Sequence, residues 1–177
     1  MNYLSQYIIP FHGLDNKENL FNFTVEDAFF DYFETKIIKG GVIDVNLDLI
    51  KESNSLHLKL SLKGSVKIIC DRCLELYDQD IDFTDTIVVE FGEETNFDTN
   101  RDCVILAKDK SEINISQFIY EFANFALALQ HYHPDEENGE QGCNKEMLDI
   151  LNKHIVSEDN KNIDPRWEKL KELKNNS

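Results

Sequence analysis

Long apolar runs are missing from this chain: no stretch of its 177 residues approaches the roughly 20 needed to cross a bilayer. Met1–Pro10 also lacks the basic cluster and continuous apolar segment of a secretory signal, so the expectation is a cytoplasmic protein without membrane association. Positive charge is scarce too. Residues 1–144 hold 11 Lys or Arg against 27 Asp or Glu, whereas residues 145–177 hold seven of each, so the whole net charge of −16 lies in the first part. Such a body repels a phosphate backbone, because affinity there comes mainly from neutralising phosphates with cations. A basic protein partner suits its field better. Cysteine is confined to positions 70, 73, 103 and 143. In a reducing compartment these are expected to be thiols or metal ligands rather than a disulfide framework. Also absent are a phosphate-cradling Gly-rich loop, a nucleophile elbow and a His-Glu-x-x-His pair. With 34 carboxylates, chance proximity of two is expected and signals nothing. No catalytic residue, small-molecule substrate or organic cofactor site is therefore assigned, and enzymatic activity is not expected.

What is present is an alternating apolar pattern. An apolar fraction of 41% with 12 Phe marks a globular chain. Ile43, Val45, Leu47 and Leu49 alternate with Asp44, Asn46 and Asp48, and Leu56, Leu58, Leu60 and Leu62 alternate with His57, Lys59 and Ser61. That is the period of strands buried on one face. Further strands are expected over Tyr3–Pro10, Leu20–Val25, Val66–Cys70, Ile81–Phe83 with Ile87–Phe91, and Cys103–Ala107, with a bulge at Gly64. Glu26–Phe33 suits a turn or two of helix. Short connections favour an antiparallel arrangement. Asn114 and Gln117 resemble a capping box. Ile115, Phe118, Ile119, Phe122, Phe125, Ala126 and Leu129 then follow helical spacing, predicting one main helix across the sheet. Short helices are expected at Glu146–His154 and from Asp164-Pro165 onward. The expected fold class is thus α+β: an antiparallel β-rich meander, open sheet or partial barrel, packed by one main helix with short C-terminal helices. Residues 1–155 form the domain, and residues 156–177 a linker and a terminal amphipathic helix. In that helix Trp167, Leu170 and Leu173 share a face beside Arg166, Lys169, Lys171 and Lys174, suited to docking on the domain or on a partner.

The pair Cys70-Asp71-Arg72-Cys73 falls where a strand ends. Two Cys three apart can place both sulfurs on one ion, and a structural zinc needs two further ligands. His131, His133 and Cys143 after the main helix are the best supply, and a site of Cys70, Cys73, His133 and Cys143 would tie that loop to the sheet. Cys103, in an apolar strand, reads as a small buried hydrophobe. His12, His57 and His154 have no ligand-like neighbours. A thiol-redox pair is the competing reading, but the βαβ setting of such motifs is absent.

These residues resemble a known family. Cys-Asp-Arg-Cys-Leu at 70–74 after an alternating strand is similar to the Cys-x-Arg-Cys-Leu mark of the YceD proteins. The helix at 115–129, His133 and Cys143, and the run Asp164-Pro165-Arg166-Trp167-Glu168-Lys169-Leu170 also fall where that family has counterparts. Tyr7–Leu14 resembles the version found in Bacteroidetes. The resemblance implies a non-enzymatic ribosome-biogenesis factor that supports accumulation of large-subunit ribosomal RNA. It also implies further cysteines near the C-terminus pairing with the first two on a metal; here only His133 and Cys143 stand there. The implied partner is a basic ribosomal protein or a large-subunit assembly factor, with weak or indirect association with the RNA. A direct RNA contact through Arg72 and the tail lysines is the alternative.

Overall fold

The structure is a computed structural model describing residues 3–15, 17–34, 37–96, 103–134 and 142–154. A 3₁₀ turn at Tyr3–Tyr7 leads into β1 (Ile8–Pro10), β2 (Glu18–Val25) and α1 (Asp27–Phe30). Then come β3 (Gly40–Lys51), β4 (Ser55–Ile69), β5 (Leu76–Gly92), β6 (Cys103–Ala107) and β7 (Glu112–Asn114), followed by α2 (Ser116–Phe125) and α3 (Lys145–His154). The main sheet has five strands in the order β2-β3-β4-β5-β6 and does not close into a barrel; β1 and β7 form a separate two-stranded ribbon.

The alternating pattern explains the sheet. Leu56, Leu58, Leu60 and Leu62 of β4 are fully buried and face Ile43, Val45, Leu47 and Leu49 of β3, also buried. Because the side-chain period is two, a slip of one residue would turn this whole set to water, so the register is strongly fixed. The opposite face is polar: Lys59, Lys63 and Lys67 of β4 each have a carboxylate opposite, and Lys63 has one on both sides. Asp48 and Asp44 of β3 stand opposite Lys59 and Lys63, and Asp82 and Asp78 of β5 opposite Lys63 and Lys67.

Helix α2 covers the apolar face through Phe118, Ile119, Phe122 and Ala123, and Phe122 meets Phe83 of β5 edge-on at 5.3 Å. At the other end Tyr7, Phe29 and Phe30 are buried together, with Tyr7 and Phe29 5.1 Å apart in the T-shaped geometry aromatic rings favour. Phe33 stacks flat on Tyr120 of α2 at 3.9 Å, joining the two clusters.

Several expectations are corrected. Tyr3–Tyr7 is a 3₁₀ turn, leaving three residues for β1. Ile81–Phe83 and Ile87–Phe91, which suited one strand or a pair, lie in one long strand that begins earlier, at Leu76. Gly64 is no bulge: the ladder runs unbroken through Ile43, Gly64 and Ile81. The glycine is there for close approach, since a Cβ at this position would overlap the Val42 carbonyl and the Ile43 backbone. The sheet is also not wholly antiparallel. Strand β6 runs parallel to β5, with Val88 beside Cys103 and Gly92 beside Ala107. Pairing this way sets the start of β6 four residues of strand back from the end of β5, about 13 Å at the usual rise. Asn96 then bridges Ile105 on the far side of β6. On the opposite edge, among the described residues, β2 receives only the Tyr7 hydroxyl, which donates to the Thr24 carbonyl at 3.5 Å.

Helix α2 is shorter than its apolar periodicity. It stops at Phe125, and Phe125 and Leu129 are exposed, because the chain leaves the helix to bring residues 131–133 back to the sheet. Its start is a half capping box: the Asn114 side chain accepts from the Ser116 N–H at 2.9 Å, but Gln117 bonds Glu121 instead of reaching back. Helix α3 agrees with expectation and is capped by Asn144, which accepts from the Glu146 N–H at 2.9 Å. The linker and the Trp167 helix lie outside the described residues, as does the Cys103 side chain.

Gly64→Ala is expected to destabilise the protein by about 1–3 kcal/mol, the usual cost of overpacking. A urea denaturation midpoint checks this, with Gly13→Ala as the neutral comparison, since nothing lies within 4 Å of a Cβ there.

Candidate metal centre

Strands β4 and β5 pair to their last residues, Ile69 opposite Leu76, so the six residues between them form a fixed turn. The Cys70 N–H donates to the Glu75 carbonyl at 2.9 Å and the Leu74 N–H to the Cys70 carbonyl at 3.0 Å. Leu74 makes the reversal in the left-handed region, at φ 61°, which costs a non-glycine residue roughly 1 kcal/mol or more. The turn thereby directs Cys70 and Cys73 inward, both buried, while Leu74 points to solvent.

The chain leaving α2 runs alongside this turn, residue against residue. Asp71 meets His131 twice: the Asp71 N–H donates to the His131 carbonyl, and the His131 N–H to the Asp71 carboxylate, each at 2.7 Å. The Arg72 guanidinium lies 4.0 Å above the Tyr132 ring, a cation–π contact. The Cys73 Sγ lies 3.4 Å from the His133 Nδ1. Further on, the Cys143 Sγ is 3.6 Å from the Cys70 Sγ, and the Asn144 side chain donates to the Glu75 carboxylate at 2.8 Å. Gly142 lets His133 and Cys143 converge: a Cβ at 142 would overlap the Pro134 carbonyl.

The four donors expected from sequence are thus brought together. Cys70, Cys73, His133 and Cys143 present three sulfurs and one imidazole nitrogen, all within 4.8 Å of one another. The Cys143 Sγ stands 3.7 Å from the His133 Nδ1. A tetrahedral zinc with bonds of about 2.3 Å to sulfur and 2.0–2.1 Å to nitrogen sets its ligands about 3.6–3.8 Å apart. The spacings fit that ion, and the sulfurs are far beyond the roughly 2.05 Å of a disulfide. His131 is not a donor; it holds Asp71. Sequence reasoning missed the roles of Asp71, Arg72 and Tyr132, although their matching offset from the donors, 60 residues for each pair, was there to find. Cys70 also accepts the Arg72 N–H at 3.4 Å, and the Tyr77 ring packs 4.7 Å from His133, holding its plane.

Electrostatics point the same way. Burial pushes the Cys70 thiol up, but the N–H groups of Cys73, Arg72 and His133 outweigh it and hold the thiol down at about 6. Cys143 is pushed up to about 11, by burial first and then by Cys70 and Cys73 beside it. The Tyr77 phenol is also raised, by burial and then by the charges of Cys70, Asp71 and Cys143. One thiolate is welcome here and the next is opposed. A bound dication removes that conflict by supplying the missing positive charge, and a coordinated thiol is deprotonated outright.

An α+β domain with a buried three-Cys, one-His clasp between a hairpin turn and a post-helix loop is the class defined by this fold and site. The chain belongs to the family described as large ribosomal RNA subunit accumulation protein YceD, whose model matches residues 58–174. That span takes in the whole clasp and β4 from Leu58 onward. No curated protein and no solved structure matches the chain.

In metal-free protein, the Cys70 contribution to stability is complete above the ordinary thiol value of 9.0 and is lost as pH falls through about 6. The Cys143 contribution has the opposite sign: present below 9.0, it is lost as pH rises through about 11. The stability of metal-free wild type relative to Cys70→Ala is therefore expected to rise between pH 6 and pH 9. Urea denaturation across that range checks it, and a flat difference would contradict a stabilised Cys70 thiolate.

Proposed function

We propose that this chain is a non-enzymatic cytoplasmic factor that supports accumulation of large-subunit ribosomal RNA by binding a basic ribosomal protein or assembly factor, with zinc in the clasp as a structural ion. Family membership supports the ribosomal RNA context. The observation that carries the choice of partner is the charge. The chain has a net −16, and the lysines of the outward sheet face are outnumbered by the flanking aspartates, with Lys63 held by Asp82 at 3.3 Å. Long-range attraction to a cationic protein follows from such a field, and high salt weakens it.

For the clasp, four enclosed donors favour a structural ion over a redox pair. Cys70 is 0% and Cys73 2% exposed, out of reach of a protein reductant, whereas redox-active thiols are at least partly open. Zinc would be held by Cys70, Cys73, His133 and Cys143, joining the β4–β5 turn to the loop after α2.

Metal analysis of purified protein is expected to give about one zinc per chain, in keeping with a closed four-ligand site. Cys143→Ala and His133→Ala should lose it, while His12→Ala should retain it. For the partner, a tagged copy should co-sediment with large-subunit precursors in a sucrose gradient and crosslink to a cationic protein, with the complex dissolving at high salt. Absence from every precursor fraction would sink the biogenesis reading.

A further inference from the structure

On this acidic chain a small group of cations gathers at one place. A cavity of about 270 Å³ opens where the β3–β4 loop, the residues after β1 and the β6–β7 connection meet. Lys51, Lys108 and Lys110 line it against a single carboxylate, Glu52. That carboxylate is engaged elsewhere: it accepts from the Ser55 hydroxyl at 3.4 Å and lies 3.6 Å from the His57 ring. Lys51 donates to the His12 carbonyl at 3.1 Å and to the Leu14 carbonyl at 3.5 Å, which fixes its ammonium with one N–H to spare. Lys108 and Lys110 are exposed, and no described carboxylate pairs with them.

The cavity also has an aromatic floor. The Phe11 and Phe91 rings stand 5.6 Å apart, with His12 beside Phe11 at 6.1 Å. Backbone bonds hold the walls in place. The Phe91 N–H donates to the Asn54 carbonyl at 3.2 Å, the Phe11 N–H to the Ser111 carbonyl at 3.0 Å, and the Lys108 N–H to the Gly92 carbonyl at 3.1 Å. Ser53 and Asn54 add hydrogen-bonding groups at the rim.

Flat apolar rings beside ammonium groups match a ligand with a flat ring and a phosphate. We propose that this cavity binds single-stranded RNA, one base against the half-buried Phe91 ring, which the buried Phe11 ring backs, and its phosphates on Lys51, Lys108 and Lys110. Base–aromatic stacking combined with backbone phosphate contacts is how single strands are held without sequence preference. The acidic remainder of the surface confines the contact to about three successive phosphates of one strand and excludes a duplex. This site goes beyond the protein partner proposed above and takes from that reading only its ribosomal RNA context. It also differs from a contact through Arg72, whose guanidinium already lies on Tyr132.

The test is a fluorescence titration of the purified full chain with labelled hexa-adenylate RNA over a range of salt. Three phosphate contacts give a slope of log K against log salt of about −2, at about −0.7 per contact. Lys108→Ala with Lys110→Ala should weaken binding by about tenfold or more at low salt and bring the slope to about −0.7. Phe91→Leu, which keeps the apolar packing, should weaken binding about fivefold or more by loss of stacking. Lys59→Ala with Lys63→Ala, on the outer sheet face, should leave binding unchanged. Three results would overturn the proposal: no binding by the wild type, equal loss from both lysine pairs, or competition by inorganic phosphate as effective as that by adenosine monophosphate. Because only purified protein and RNA are used, this outcome is independent of whether a cationic protein partner is found.

Discussion

The antiparallel ladder between β4 and β5 is the constraint on which the rest depends. It runs from Ser55 opposite Glu90 to Ile69 opposite Leu76 without interruption, and β4 carries the fully buried leucines that also bind β3. Fixing that register fixes the location of the turn at its end. The turn in turn determines where the Cys70 and Cys73 sulfurs point and which backbone groups remain for the chain after α2. A shift of one residue would exchange the core for the solvent face and dismantle the clasp in the same step.

Much of this was legible in the residues. The apolar alternation predicted β3 and β4, the 115–129 periodicity predicted a helix on the sheet, and the Cys-x-x-Cys with His133 and Cys143 predicted the donor set. What was not legible depends on distances between segments. Gly64 looks like a bulge in a linear pattern, and only the neighbouring Val42 carbonyl shows why it is glycine. Leu129 continues the helical spacing, yet the chain leaves the helix after Phe125 and goes on to form the Asp71–His131 bonds. The parallel placement of β6 leaves no periodic signal in the sequence. The lysine cavity is built from four segments far apart in sequence, and no one of them carries all its cations.

The clasp and the cavity divide two tasks between the two ends of the sheet. At one end, buried thiols and an imidazole join turn to loop and leave little open to solvent apart from Leu74 and its neighbours. At the other, exposed ammonium groups surround aromatic rings on a chain otherwise dominated by carboxylates. The outward sheet face lies between them, and each of its β4 lysines is answered by an aspartate on at least one adjoining strand. A protein of uniform negative charge would meet both RNA and basic proteins through one averaged field. Here the local exceptions are held by backbone bonds and therefore persist.

The two edges of the main sheet are unlike. Strand β6 is shielded by Asn96, which exchanges hydrogen bonds of 2.8 and 2.9 Å with Ile105, whereas β2 offers eight residues met, among the described residues, only by the Tyr7 hydroxyl at Thr24. A sheet with two free edges can add strands indefinitely and form filaments. Strand β5 also has no strand partner on its β6 side before Val88, so among the described residues unpaired strand remains at both edges. The Asn96 bridge thus covers only the five-residue β6 and leaves the longer part of that edge to other means of protection.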